Sequence, residues 1–228
     1  MKVALIGMGR MGQALDALAA EHGLSVVARL DGGSTITHAA LGGAEVAIEF
    51  TVPTAAASNI LSLSALGVPV VSGTTGWDAE VDGVASAVRA SPGALLWAPN
   101  FSLGVHLFLK VGARAGRLFA GVAGFEVAIT ETHHTRKLDA PSGTARALAT
   151  AVEGELGRAV PITSVRTGEV TGTHLLTIDG VFEQLRLEHI AHDRRVFAAG
   201  ALTAARWLAG RRGVFTLDDV LGIPLEDR

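Results

Sequence analysis

The apolar positions fall into two kinds of run, and the change from one to the other divides the chain. Residues 2–6 (KVALI) and 25–30 (SVVARL) are short and nearly continuous in apolar character, the pattern of strands buried on both faces. Between them, residues 13–22 place Leu15, Leu18 and Ala19 on one side of a helix. Three further β-type runs, at 46–51, 68–72 and 94–98, are separated by Ala-rich stretches with helical spacing at 55–66 and 79–90. Strands that alternate with helices predict crossover units and a parallel sheet covered on both faces.

Beyond Asn100 the pattern changes. It predicts a helix over 103–119, a strand over 126–131, a polar loop over 132–141 and a helix over 143–156. Strand-like runs follow at 162–167, 172–179 and 183–189, and these predict an open sheet, antiparallel or mixed, in a second domain of α+β type. An apolar helix at 197–210 is expected to pack back on the first domain. The resulting fold class is α/β, with a Rossmann-type parallel-sheet domain built from 1–101 and 197–228 and the α+β domain inserted at 102–196.

Composition narrows the partners. With 228 residues, 49% of them hydrophobic, the chain can bury one large core or two modest ones. A net charge of -3 gives no broad positive field for nucleic acid or anionic lipid, so a small discrete ligand is expected. The chain has no cysteine, which removes disulfides, thiolate nucleophiles and thiolate metal ligands and fits a reducing cytoplasm. The apolar run at 1–6 is too short for a leader and enters a glycine turn, so it reads as a strand. No apolar stretch approaches the roughly 20 residues that span a bilayer.

Gly7-Met8-Gly9-Arg10-Met11-Gly12 is a G-x-G-x-x-G between a predicted strand and a predicted helix. Such glycines let the backbone approach a pyrophosphate, whose charge the N–H groups at the helix start stabilise. A glycine-rich turn without a ligand is the bland alternative. Asp31 stands at the end of the second strand, where a carboxylate accepts hydrogen bonds from ribose hydroxyls. It favours NADH over NADPH unless Arg29 or Arg10 offsets its charge, although Asp-Gly-Gly is also ordinary turn chemistry. Phe50-Thr51, Gly73-Thr74-Thr75-Gly76 and Ala98-Pro99-Asn100-Phe101 follow later strands, at the sheet edge where ligands of such folds sit.

The segment 131–145, ETHHTRKLDAPSGTA, gathers His133, His134, Arg136, Lys137 and Asp139 in a loop that opens a helix. Ser142 is a natural N-cap, which leaves the N–H groups of Gly143 and Thr144 free to attract a carboxylate. His133 can exchange a proton near neutral pH, and Lys137 can carry a fixed charge or donate one. A solvated loop with a structural cap is one alternative. A metal site is another, but side chains of adjacent histidines on one strand point apart and no cysteine completes a set, so no metal is expected.

Six stretches, GxGRMG at 7–12, FTVP at 50–53, VSGTTG at 71–76, APNFSLGV at 98–105, ETHHxxKxDAPSGTA at 131–145 and VRTGEVTGTH at 165–174, occur in the order found in dihydrodipicolinate reductases. The chain resembles that family from its first strand into its second domain. The resemblance implies that Gly7, Met8, Gly9, Arg10, Met11, Gly12, Asp31, Phe50, Thr51, Gly73, Thr74, Thr75, Ala98, Pro99, Asn100 and Phe101 contact a dinucleotide, NADH or NADPH. It implies His133 as the acid/base residue, Lys137 as a second donor, and His134, Gly143 and Thr144 as ligands of a dicarboxylate substrate. The implied reaction reduces 4-hydroxy-tetrahydrodipicolinate to tetrahydrodipicolinate with loss of water, in lysine and diaminopimelate biosynthesis. The second domain would also join subunits into a homotetramer, although its stretch between the helix at 143–156 and Val165 is shortened. An amino-acid dehydrogenase of the aspartate or homoserine type and a nucleotide sensor without turnover are the rival readings. The cationic loop that runs into Pro-Ser-Gly-Thr argues against the first, and dependence of turnover on His133 or Lys137 would exclude the second.

Overall fold

The computed structural model describes residues 1–224; the end of the segment expected at 197–228 lies outside the described residues. The chain divides into two compact units, one formed by Met1–Ser102 with the segment from Arg195 onward and the other by Leu103–Arg194. Among the described residues no helix is long and apolar enough to cross a membrane.

In the first unit, β1 (Lys2–Ile6), β2 (Ser25–Leu30), β3 (Val46–Glu49), β4 (Val70–Ser72) and β5 (Ala94–Trp97) are the predicted strands. With β10 (Gly213–Phe215), which follows the second unit in sequence, they form a six-stranded sheet in the order β10-β5-β4-β3-β1-β2. Every pairing is parallel. Val3, Ala4, Leu5, Ala47, Val70, Val71 and Leu96 have no exposed surface, as a sheet covered on both faces requires. Helices α2 (Pro53–Ala65) and α3 (Asp78–Arg89) pack together against the strands, as do α1 (Arg10–Ala19) and α6 (Arg195–Leu208). The chain leaves β1 toward β2 on one side, and β3 lies on the other. The crevice beyond the carboxyl ends of β1 and β3 is therefore the switch point where doubly wound sheets bind ligands.

Helix α1 starts at Arg10, inside the glycine motif and three residues before the predicted start. Gly12 permits this: a Cβ there would lie 2.1 Å from the Gly7 carbonyl oxygen. β10 and the short α7 (Leu217–Leu221) were not predicted, because a three-residue strand carries no periodicity.

The second unit contains α4 (Leu103–Phe119), β6 (Phe125–His133), α5 (Gly143–Leu156), β7 (Ile162–Arg166), β8 (Thr173–Gly180) and β9 (Gln184–Ile190). Its sheet has the order β7-β6-β8-β9. β6 pairs antiparallel with β8, and β8 with β9, but β6 and β7 are parallel, so of the two sheet types left open the mixed one forms. The helix between β6 and β7 is the cause, since a crossover of that length returns the chain in the same direction. Phe108, Ile129, Leu148, Val152, Leu176 and Ile178 are buried in one core between sheet and helices.

Candidate active site

The carboxyl edge of the parallel sheet is shaped for close approach of a ligand to backbone. Gly7 has φ +95°, donates its N–H to the Leu30 carbonyl at 2.8 Å, and would place a Cβ 2.1 Å from the Phe50 carbonyl oxygen. Gly9, by contrast, has nothing within 4 Å of where a Cβ would stand. It precedes α1, whose first turn has no side-chain cap and no acidic residue, so that turn presents N–H groups to open space. These features fit a dinucleotide pyrophosphate.

Beneath this edge lies a carboxylate that the sequence reading missed. Glu49 has no exposed surface and accepts hydrogen bonds from Ser72 Oγ at 2.6 Å, Thr74 Oγ1 at 2.9 Å and Thr51 Oγ1. Thr51 N–H donates to Thr74 Oγ1 at 2.8 Å, and the indole N–H groups of Trp77 and Trp97 donate to the Thr74 carbonyl at 2.8 and 3.0 Å. Thr74 is thus committed to internal bonds, whereas Thr75 beside it is exposed. The ring of Phe50 requires Gly73, where a Cβ would fall 2.1 Å from ring atoms. Edge to face, Phe50 also meets Phe101 at 5.9 Å.

Two cavities of about 330 Å³ each open here. One is lined by Gly9, Arg10, Met11, Phe50, Thr51, Pro53, Gly73, Thr74 and Thr75. The other is lined by Met11, Phe50, Gly73, Pro99, Asn100, Phe101 and Phe197. Eleven of the expected cofactor residues thereby line adjoining space, and Pro53 and Phe197 join them unpredicted. Gly7, Met8, Gly12, Asp31 and Ala98 do not line it. Asp31 is exposed just beyond β2, in a turn closed by Ser34 N–H to the Asp31 carbonyl at 2.9 Å. Arg29 is held by both Asp16 carboxylate oxygens, at 2.8 and 2.6 Å.

In the second unit, β6 buries Val127, Ile129, Glu131 and His133 on one face, so the face passes from apolar to polar toward the end of the strand. Register sets Glu131 beside Ser164 of β7 and His174 of β8, and His174 beside His189 of β9. His133 lies beside Arg166. Glu131 has no exposed surface. One of its oxygens meets His133 Nδ1; the other accepts from Arg166 Nη2 at 2.7 Å and from the Ser142 N–H at 3.3 Å. Burial opposes its charge, but hydrogen bonds from Arg166, Ser164 and His133 outweigh burial and hold the carboxyl at about 2. For His133 burial prevails over the attraction of Glu131, so its pKa lies below the usual histidine value and the ring is neutral at neutral pH.

Helix α5 brings its N-terminus onto this polar row. Ser142 Oγ accepts from Ala145 N–H at 3.2 Å and lies 3.1 Å from His174 Nε2, while Gly143 and Thr144 begin the helix. Burial, with repulsion from His133, pushes His174 down to about 4. Lys137 Nζ rests 2.7 Å from Asp139 Oδ1, and Arg194 Nη2 lies 3.1 Å from His134 Nε2. Among the described residues, the buried side-chain polar atoms without a protein partner are His134 Nδ1, Arg166 Nε, His174 Nδ1 and His189 Nδ1, all in this unit. Buried polar atoms are ordinarily paired, so these four call for a partner from solvent or a ligand.

Glu131, His133 and His174 also bring one ligand atom each within 4.8 Å of one another, a grouping that strand register makes and that adjacent histidines alone do not reveal. Glu131 already holds His133 and Arg166, His174 Nε2 lies against Ser142 Oγ, and the Arg166 cation next to the carboxylate opposes a metal ion. The set suits proton handling. Glu131, Arg166 and His174 are the residues that sequence reasoning missed here, although the quoted stretches contained all three.

A doubly wound sheet with an open glycine turn, in one chain with a buried carboxylate–histidine pair beside a helix N-terminus, fits an oxidoreductase of the Rossmann class. The family described as "Dihydrodipicolinate reductase, N-terminus" matches residues 1–101, and "Dihydrodipicolinate reductase, C-terminus" matches 104–221. The 4-hydroxy-tetrahydrodipicolinate reductase of Christiangramia forsetii is 35% identical, with 97% of this chain and 98% of the relative covered. That of Thiobacillus denitrificans is 37% identical, with 98% and 99% covered. The chain belongs to the dihydrodipicolinate reductase family. Among solved structures, the dipicolinate-bound dihydrodipicolinate reductase of Paenisporosarcina sp. TG-14 has a TM-score of 0.82 at 21% identity, covering 95% of this chain and 97% of that one. Aspartate dehydrogenase of Thermotoga maritima has a TM-score of 0.53 at 13% identity, covering 92% and 97%, and shares the fold alone.

Proposed function

We propose that this chain reduces 4-hydroxy-tetrahydrodipicolinate to tetrahydrodipicolinate with loss of water, that His133 is its acid/base residue, and that Lys137, His134, Gly143 and Thr144 hold the substrate. The observation that carries this reading is the buried His133, at the end of β6 and held by Glu131, just before the loop that carries Lys137 and leads to the α5 N-terminus. A ring dicarboxylate needs cationic and N–H partners, and hydride addition to its conjugated imine builds electron density at C3 that an acid must quench. The nicotinamide supplies the hydride, delivered to C4 of the dehydrated ring. His133 gives C3 its proton, Lys137 exchanges Asp139 for a substrate carboxylate, and the Gly143 and Thr144 N–H groups take the other. Lys137 is retained as the second candidate donor.

On the cofactor side, Gly7 to Gly12, Asp31, Phe50, Thr51, Gly73, Thr74, Thr75 and the segment 98–101 form the dinucleotide site, with Thr74 acting from behind through its bonds to Thr51 and Glu49. Of NADH and NADPH, the exposed Asp31 carboxylate favours NADH modestly: Arg29 is bound to Asp16, which leaves Arg10, at the cavity, as the cation that can offset it. The proposed form is a cytoplasmic homotetramer; Val181 and Phe182, exposed by 83% and 98% at the β8–β9 turn, are apolar surface suited to subunit association.

The test is the substrate-dependent loss of NADH absorbance, repeated with NADPH and with Lys137→Ala. Rapid oxidation that falls roughly 100-fold or more in the variant, with NADH affinity kept, is expected. NADH binding without oxidation by either protein would refute the reading.

A further inference from the structure

Glu131 and Arg166 transfer neither proton nor hydride in the proposed reaction. Glu131 and His133 are two residues apart on one strand face, which aims both side chains the same way. The contact between them goes through Nδ1 of the ring. An ionised carboxylate can only accept, so the nitrogen that meets it carries the hydrogen and Nε2 keeps the lone pair. The carboxylate itself cannot turn away. Arg166 Nη2, 2.7 Å from Glu131 Oε1, is also 2.7 Å from the Asp139 carbonyl oxygen, so one guanidinium ties the strand to the catalytic loop. The Ser142 N–H completes the grip at 3.3 Å.

The other side of the ring packs closely, and only a glycine there leaves room at Nε2. Gly172 lies there, and a Cβ at that position would come within 3.0 Å of His133 Nε2 and 3.3 Å of Cδ2. The charged and titratable groups around the ring are Glu131, Arg166, Lys137 and His174, of which only Glu131 is bonded to it.

We propose that Glu131, clamped by Arg166, is the positioning residue that fixes the Nδ1–H tautomer of His133, so that Nε2, cleared by Gly172, is the atom that delivers the proton to C3. The inference deepens the proposed function and rests on it. In this arrangement His133 carries the proton and Lys137 serves as counter-charge. The proton balance closes. Solvent loads Nε2, the hydride arrives at C4, the pair of electrons at C3 takes the Nε2 proton, and the ring returns to the neutral tautomer that Glu131 already accepts from. One proton and one hydride are consumed per turnover.

The experiment compares the wild-type protein with Glu131→Gln and Glu131→Asp, using the imidazole nitrogen resonances of isotope-labelled histidine together with steady-state kinetics. Gln removes the charge; Asp keeps a charge for Arg166 but withdraws the carboxylate from Nδ1, and serves if the Gln variant does not fold. The wild type should show Nδ1–H at neutral pH. In either variant the tautomers should mix, and kcat should fall about 10- to 100-fold while KM for NADH stays unchanged, as when an outer partner that orients a functional histidine is lost. Retention of the Nδ1–H tautomer in both variants overturns the proposal, and so does a changed tautomer with kcat within about twofold of wild type. Absence of turnover in the wild-type protein refutes the function instead, and the resonances still decide the positioning.

Discussion

Replacing His174 with glutamine should make the second unit much less sensitive to acid. In the folded chain His174 is only 5% exposed, and burial, with repulsion from His133, His189 and Lys137 that Glu131 only partly offsets, pushes its pKa to about 4 from an ordinary value of 6.5. The unfolded chain therefore binds this proton first as the pH falls. Stability is unaffected above about pH 6.5, declines between 6.5 and 4, and loses nothing further from this group below 4. At 1.36 kcal/mol for each pKa unit, the interval is worth about 3 kcal/mol. Glutamine does not titrate and still offers a partner to Ser142 Oγ, so its own cost is the same at every pH. Urea unfolding followed by circular dichroism at pH 7 and pH 4, with amide exchange in β8 to assign the transition, measures the difference. The wild type should lose about 3 kcal/mol more than the variant over that range. Equal losses would mean that His174 is protonated in the fold, and would refute the argument from burial. Glu131 acts in a lower window: its carboxyl, near 2 when folded against an ordinary value of 4.5, gives stability on the order of 3 kcal/mol that disappears as the pH falls from about 4.5 to 2.

Two glycines of the turn should behave in opposite ways. Gly9→Ala meets no atom within 4 Å and should leave the melting temperature unchanged while weakening NADH about tenfold or more by titration, because the methyl occupies the ligand's approach. Gly12→Ala would set a Cβ 2.1 Å from the Gly7 carbonyl oxygen and should lower the melting temperature itself; an unchanged melt would show that the turn can shift. Asp31→Ala should weaken NADH more than NADPH in direct binding measurements. Asp16→Ala should free Arg29 and improve NADPH binding a few-fold, in keeping with the energy of an exposed ion pair of about 1 kcal/mol or less. Equal effects of either substitution on the two cofactors would remove the ribose-end charges from the account of specificity.

The sequence by itself determined the parallel sheet, because strands buried on both faces leave continuous apolar runs and the intervening helices leave their own period. It also determined the chemistry-bearing stretches, since a glycine turn between a strand and a helix and the segment 131–145 are local patterns. It placed the start of α1 too late, because Gly12 reads as a turn until its contact with the Gly7 carbonyl is known. The apolar runs leave the direction of β7 between two sheet types, although the predicted helix before it favours a parallel crossover. What only the tertiary structure decided is which side chains work together. Glu131 lies 35 residues from Arg166, Ser142 lies 32 from His174, and Glu49 lies 23 from Ser72. Each pair is made by strand register, or by seating a helix end on a strand. Periodicity shows which face of an element is buried, but not which residue of another element stands opposite; that offset is set by packing of the whole unit, where a slip of one residue would turn Glu131 and His133 out of the core.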